Sequence, residues 1–249
     1  MLHFVGGYLH PLGHINEPTQ RREWWIQQNP GLATQTLVGT SNGVTQNSPS
    51  PGASNLLGSA GNFIQCGCAL VNTDAGWVTT VFTITRRAWF PWFVFDLGFY
   101  SLAAITNTRV WIGLFSASPM ATDTPGASGI SGAGFRFSST AGDANWKAVV
   151  SSGAADTVAD LAPAKAFSQG LGVGGEIIFD TMNNNVIFRI ADEGTLPLTR
   201  LYTVAINTTL PAAATNLGVV SMIRNVTANA QKYISMSRWA LAQNFTFIM

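Results

Sequence analysis

The run Thr108-Arg109-Val110-Trp111-Ile112-Gly113-Leu114-Phe115 constrains the fold more than any other stretch of the chain. Successive side chains of a strand alternate between faces, so Val110, Ile112 and Leu114 share one face and Trp111, Gly113 and Phe115 the other. Neither set suits water, and the run therefore reads as an interior strand. Its β-branched and aromatic content, and its stop at Ser116-Ala117-Ser118-Pro119, favour a sandwich-core strand over a helix.

Runs of the same kind lie on either side. Asn62–Leu70, Gly76–Thr85 and Trp89–Phe95 precede it at short spacing. In the second of these Val78, Thr80, Phe82 and Ile84 alternate as in a strand with one face on a core, while Pro91 restricts the third to an edge, a strand start or a bulge. Downstream, Met120–Ala133 reads as a Gly/Ser/Ala loop before the strands Gly134–Ser138 and Asn145–Val150. Glu176–Asp180 and Val186–Ile190 flank Asn183-Asn184-Asn185, a hairpin turn, because Asn tolerates positive φ. Tyr202–Ile206, Leu217–Ile223 and Tyr233–Leu241 complete the series, and no amphipathic helix over about ten residues is evident. The fold class expected is all-β, an antiparallel β-sandwich over residues 52–249.

Residues 1–51 read as an extended arm, broken by His10-Pro11 and Glu17-Pro18 and carrying the apolar anchor Trp24-Trp25-Ile26. Adjacent tryptophans on a strand face opposite ways, so both are covered only if something packs on each side. Either the arm folds onto its own domain or it clasps a neighbour. Between Trp24 and Thr73 there is no Asp, Glu, Lys or Arg, and only 10% of the whole chain is charged, against an ordinary value of about 25%. A surface so poor in charge does little to keep molecules apart, which points to assembly with other copies.

The same composition narrows the partners. A formal net charge of +1, with Arg21-Arg22 and Arg86-Arg87 as the only adjacent basic pairs, argues against nucleic acid. Each pair reads as a solvated strand or loop edge. Ala88–Ile105 is interrupted by Pro91, Asp96 and Gly98 and reads as buried strands rather than a membrane span. Residues 1–13 lack the basic start and apolar core of a secretory signal, so the chain is expected to stay in the cytoplasm where it is made until assembly or lysis. Cys66 and Cys68 are too close in sequence for an unstrained disulfide and too few for a zinc site, and read as small reduced residues. No cofactor is expected.

The order of the pieces carries a resemblance. Arg109–Phe115, Phe135–Ser138, Gly142–Val150, a spacer at Asp156–Asp160, the hairpin Ile177–Ile190, Leu210–Val220 and Ile234–Leu241 follow one another in a succession that resembles the concanavalin-A/laminin-G-like jelly-roll domains of structural proteins in tailed phage particles. The resemblance spans Gly61 to Leu241 and rests on strands and turns, with no catalytic motif. It implies two packed antiparallel sheets and a place in the virion as capsid decoration, head fibre or tail fibre, with other virion proteins such as the major capsid protein as partners. A homo-oligomer, such as a closed trimer, is the usual setting for such a domain. The acidic and Asn residues that hold calcium in lectin relatives find no position-by-position match here. Asp180, Asn183 and Asp192 are the oxygen ligands that come nearest.

An enzyme is not expected. The only glutamates are Glu17, Glu23, Glu176 and Glu193, which do not form the closely spaced carboxylate pair of a sandwich glycosidase, and no histidine follows His14 to complete a triad. The expected role is a non-catalytic structural protein of a phage particle, with Trp24, Trp25, Phe245, Phe247 and Ile248 at the assembly interface. The alternative is a carbohydrate-binding adhesin for host surface glycans, its site at Asp143, Asn145 and Trp146, where one aromatic stands beside amide and carboxylate groups.

Overall fold

The structure is a computed structural model and describes residues 20–28, 44–47, 56–57, 64–68, 74–79, 84–101, 105–167, 172–192, 201–227 and 232–246. The strands are β1 (Gln20–Gln28), β2 (Val44–Asn47), β3 (Leu56–Leu57), β4 (Ile64–Cys68), β5 (Asp74–Thr79), β6 (Thr85–Arg86), β7 (Trp92–Ser101) and β8 (Thr108–Phe115). They continue as β9 (Ser131–Ser138), β10 (Lys147–Ser152), β11 (Asp156–Asp160), β12 (Gly172–Asp180), β13 (Asn185–Asp192), β14 (Leu201–Ile206), β15 (Asn216–Asn225) and β16 (Lys232–Thr246). Single 3-10 turns span Arg87–Trp89 and Gly126–Ser128.

These strands form two antiparallel sheets packed as a jelly-roll sandwich. The first runs β14-β13-β12-β7-β16-β4-β3, with β1 also on β16; the second runs β11-β10-β9-β8-β15-β5-β2, with β6 also on β15. The interior run at 108–115 is β8, buried along its whole length between β9 and β15. Val110, Ile112 and Leu114 face the inter-sheet core, where they join Phe135, Phe137 and Val219 of their own sheet and Phe93, Phe95, Ile177 and Phe188 of the other. Phe135 lies at the centre, edge-on to Phe95 at 5.8 Å and to Phe188 at 5.3 Å. Opposite Phe95 on the neighbouring strand stands Gly175, where a Cβ would come within 2.3 Å of the ring. Glycine is needed there so that the ring can lie across the strand.

The other face of β8 is covered by the chain itself. Trp111 and Phe115 cluster with Met120, Val149, Val220 and Met222, closed over by the segment between β8 and β9. Trp111 donates its indole N–H to the Thr122 carbonyl, and the Ser151 hydroxyl donates to the Ile130 carbonyl, so the segment is tied down at both ends. This is why both faces of the run are apolar.

Three local expectations change. The aromatic run Trp89–Phe95 is not one strand: Arg87–Trp89 is a 3-10 turn, Phe90 adopts φ 51°, and pairing starts at Trp92 because Pro91 offers no N–H to a ladder. Asp156–Asp160, expected as a spacer, is strand β11, paired with β10. The Gly/Ser segment already becomes strand at Ser131, where Gly132 and Gly134 pair with β8.

Within the 1–51 stretch, β1 pairs along β16, setting Trp24 opposite Ala242 and Trp25 opposite Leu241, and β2 pairs with β5. The sandwich therefore draws strands from that stretch. Along one flank the edge strands of the two sheets are stitched together: Ala162 and Thr203 exchange backbone hydrogen bonds of 2.9 and 3.2 Å, and the Thr157 and Thr208 hydroxyls meet at 2.8 Å.

Candidate functional site

The chain crosses from the second sheet to the first through Arg86–Pro91, at the end of the sandwich where β12 turns into β13 and β15 begins. The crossing forms a ledge. Arg86 stands opposite Asn216, donates from Nε to the Asn216 side-chain oxygen at 2.7 Å, and holds its guanidinium 5.0 Å above the Trp89 ring. Arg87 donates to the Pro211 carbonyl at 3.0 Å and to the Asn184 side-chain oxygen in the β12–β13 turn. The 3-10 turn is anchored to the same loop by the Ala88 N–H on the Ala213 carbonyl at 3.0 Å.

Two features set the ledge apart from the covered faces of the sandwich. Phe90 has φ 51° and ψ 53°, a left-handed conformation that a bulky side chain adopts only when its surroundings enforce it. The turn beside it exposes Met182 to 83%, one of the few large apolar side chains open to water among the described residues. Half-buried aromatic surface, two guanidinium groups held by neutral acceptors and two carboxamides whose oxygens are engaged form a set chemically suited to hydroxyl-rich or anionic ligands.

The site residues expected from sequence lie elsewhere. Trp146 is 1% exposed and sits in the inter-sheet core, its ring 6.5 Å from Phe135 and 5.2 Å from Phe167, with no face open to a sugar. Asp143 is buried on the opposite side of the sheet, taken up by Arg136 at 2.9 Å through both carboxylate oxygens and by the Ser138 N–H at 2.9 Å. Asn145 forms a bridge with Ala166. The structure thus does not bring these three onto one surface.

Asp180 and Asn183 do meet, as a turn: the Asp180 carboxylate accepts the Asn183 backbone N–H at 3.1 Å and its side-chain N–H at 2.6 Å. Asp192 lies at the far end of β13, opposite Val173, so the three oxygen ligands are not gathered. Among the described residues no three His, Cys, Asp or Glu side chains converge as a metal site would require. Of the assembly residues, Trp24 and Trp25 lie in β1 and Phe245 in β16, whereas Phe247 and Ile248 fall outside the described residues.

A second polar cluster fastens the segment over Trp111. Arg109 clamps Asp123 at 2.6 and 2.7 Å and also donates to the Met120 carbonyl at 2.9 Å, while Arg136 reaches the Asp123 carbonyl. Burial raises the Asp123 carboxyl, but hydrogen bonds from Arg109, Ser138 and Thr140 and the Arg109 charge outweigh it and hold the group below its ordinary range. Its geometry is that of a fastening, with every strong donor already spoken for.

The ledge had no signal in local sequence, since Arg86-Arg87 reads as a solvated edge until Asn184, Pro211 and Asn216 are brought to it.

No protein-family model matches the sequence, and no curated protein matches it. Solved structures do share its fold. A protein of unknown function from Shewanella oneidensis is 12% identical with a TM-score of 0.66, the match covering 98% of each chain. Peanut lectin, solved with a nine-residue peptide, is 12% identical with a TM-score of 0.58 over 90% of this chain and 100% of its own. Winged bean acidic lectin, solved with methyl-α-D-galactose, is 9% identical with a TM-score of 0.53 over 90% of this chain and 98% of its own. At these identities the likeness establishes the architecture alone: the chain has the concanavalin-A-like jelly-roll fold that legume lectins share.

Proposed function

We propose that the chain is a non-catalytic carbohydrate-binding protein and that the ledge at Arg86–Phe90 is its binding surface. The observation that carries this reading is the fixed constellation of Arg86, Arg87, Asn184 and Asn216 beside Phe90 and the exposed Met182, at one end of a lectin-like sandwich. That the winged bean lectin was solved with a galactoside supports the class of ligand. The setting proposed is the surface of a phage particle, as an adhesin for host glycans, and it rests on the succession of strand and turn motifs between Gly61 and Leu241. The test is a glycan array probed with the full-length chain, followed by titration of each hit. A glycan bound by wild type and lost on Asn184→Ala or Asn216→Ala, with the thermal midpoint kept, supports the reading. A folded chain that binds no glycan overturns it.

A second reading, a purely structural virion protein of the decoration or fibre type, is favoured by the absence of charge from Trp24 to Thr73. The mass of the full chain in solution checks it. A stable closed oligomer with no glycan hit selects the structural role; a monomer removes its main support.

A further inference from the structure

Resting on the carbohydrate-binding reading, we infer that the ledge selects an acidic sugar, one carrying a carboxylate or sulfate, rather than a neutral one. The structure offers its own comparison. Three of the arginines in the strands each close on an acid: Arg109 on Asp123 at 2.6 Å, Arg136 on Asp143 at 2.9 Å and Arg189 on Glu176 at 2.8 Å. Arg86 and Arg87 do not. Among the described residues their partners are the Asn216 amide oxygen, the Pro211 carbonyl, the Asn184 amide oxygen and the Trp89 ring, all neutral. The acid of the neighbouring turn, Asp180, spends both oxygens on Asn183.

Those neutral partners fix each guanidinium in place without cancelling its charge. Arginine ordinarily loses side-chain freedom when it binds an anion, and here that ordering is already built in. Among the described residues Arg86 donates only from Nε, with its guanidinium over Trp89, so its two terminal nitrogens form the fork that matches a carboxylate or sulfate. The Asn184 and Asn216 carboxamides, each accepting from an arginine through its oxygen, retain N–H donors suited to ring hydroxyls, and half-buried Phe90 and exposed Met182 are the apolar surface of the ledge. A free inorganic anion would satisfy the arginines but leave the rest of the ledge unused.

The experiment is calorimetric titration of the full chain with hexuronate-, sialate- and sulfate-bearing oligosaccharides, with their methyl-esterified or desulfated counterparts, and with sodium sulfate. At least one acidic oligosaccharide is expected to bind about tenfold or more tightly than its neutralised form, with Arg86→Gln and Arg87→Gln each removing most of that difference. Wild-type affinity for it is also expected to fall as salt is raised from 50 to 300 mM, a readout that needs no variant. Equal binding of neutral and acidic forms overturns the inference and spares the carbohydrate reading. Sulfate ion binding as tightly as the acidic sugar overturns it in favour of a plain anion site. Binding of no oligosaccharide overturns both.

Discussion

Arg136 and Asp143 form a two-pronged ion pair on the outer face of β9, Nε to Oδ2 and Nη2 to Oδ1, each at 2.9 Å, with both side chains almost fully buried. The pair joins the sheet to the turn that follows it, and the Arg136 guanidinium also lies 6.0 Å above the Trp111 ring. Removing one partner strands the other charge without water. Asp143→Ala is expected to cost about 3–5 kcal/mol, read as a lowered urea midpoint. The double replacement Arg136→Met/Asp143→Leu should cost much less than Asp143→Ala alone, because no buried charge is then left over.

Asp123 gives the fold an acid sensitivity of known sign. Its carboxyl is held below the ordinary value of 3.8 in the folded chain, so the unfolded chain binds the proton more readily. The stabilisation is therefore complete above pH 3.8 and is lost as pH falls through the lower folded value. Thermal midpoints of wild type and Asp123→Asn should differ at pH 7 and converge as the pH is taken below 3.8. A gap that stays constant would contradict this.

Trp146 serves folding rather than recognition. Buried against Phe135 and Phe167, its truncation to Ala is expected to destabilise by about 3–5 kcal/mol. Glycan affinity per folded molecule should not change, and titration below the unfolding transition checks that. Arg86→Gln should show the converse pattern, a stable protein with altered binding.

Gly175 tests the packing between β7 and β12. A methyl group there would press on the Phe95 ring, so Gly175→Ala is expected to cost about 1–3 kcal/mol. In a Phe95→Leu background the same change should cost less, since the ring is gone. The coupling from the double-mutant cycle is the measurement that decides.

What sequence could reveal and what it could not follow from the range of the forces involved. The strand at 108–115 was legible because alternation is local, and the β12–β13 turn because Asn184 takes φ 51°, which asparagine tolerates. Trp146 was ambiguous because burial depends on Phe135 and Phe167, brought in from other segments. The ledge was illegible for the same reason: Arg87 meets Asn184 across 97 positions of chain and Arg86 meets Asn216 across 130. A short basic pair says nothing of what faces it until the two sheets are stacked.

The seam between Ala162 and Thr203 bears on how copies of this chain meet one another. A sheet grows by presenting unspent N–H and C=O groups to another strand, and at Thr203 both have been used within the chain. A tile with one blind side can be laid in a row only through its remaining edges. Side-by-side zippering through Thr203 is closed, and among the described residues the strand order of the two sheets ends on the other side at β3 and β2.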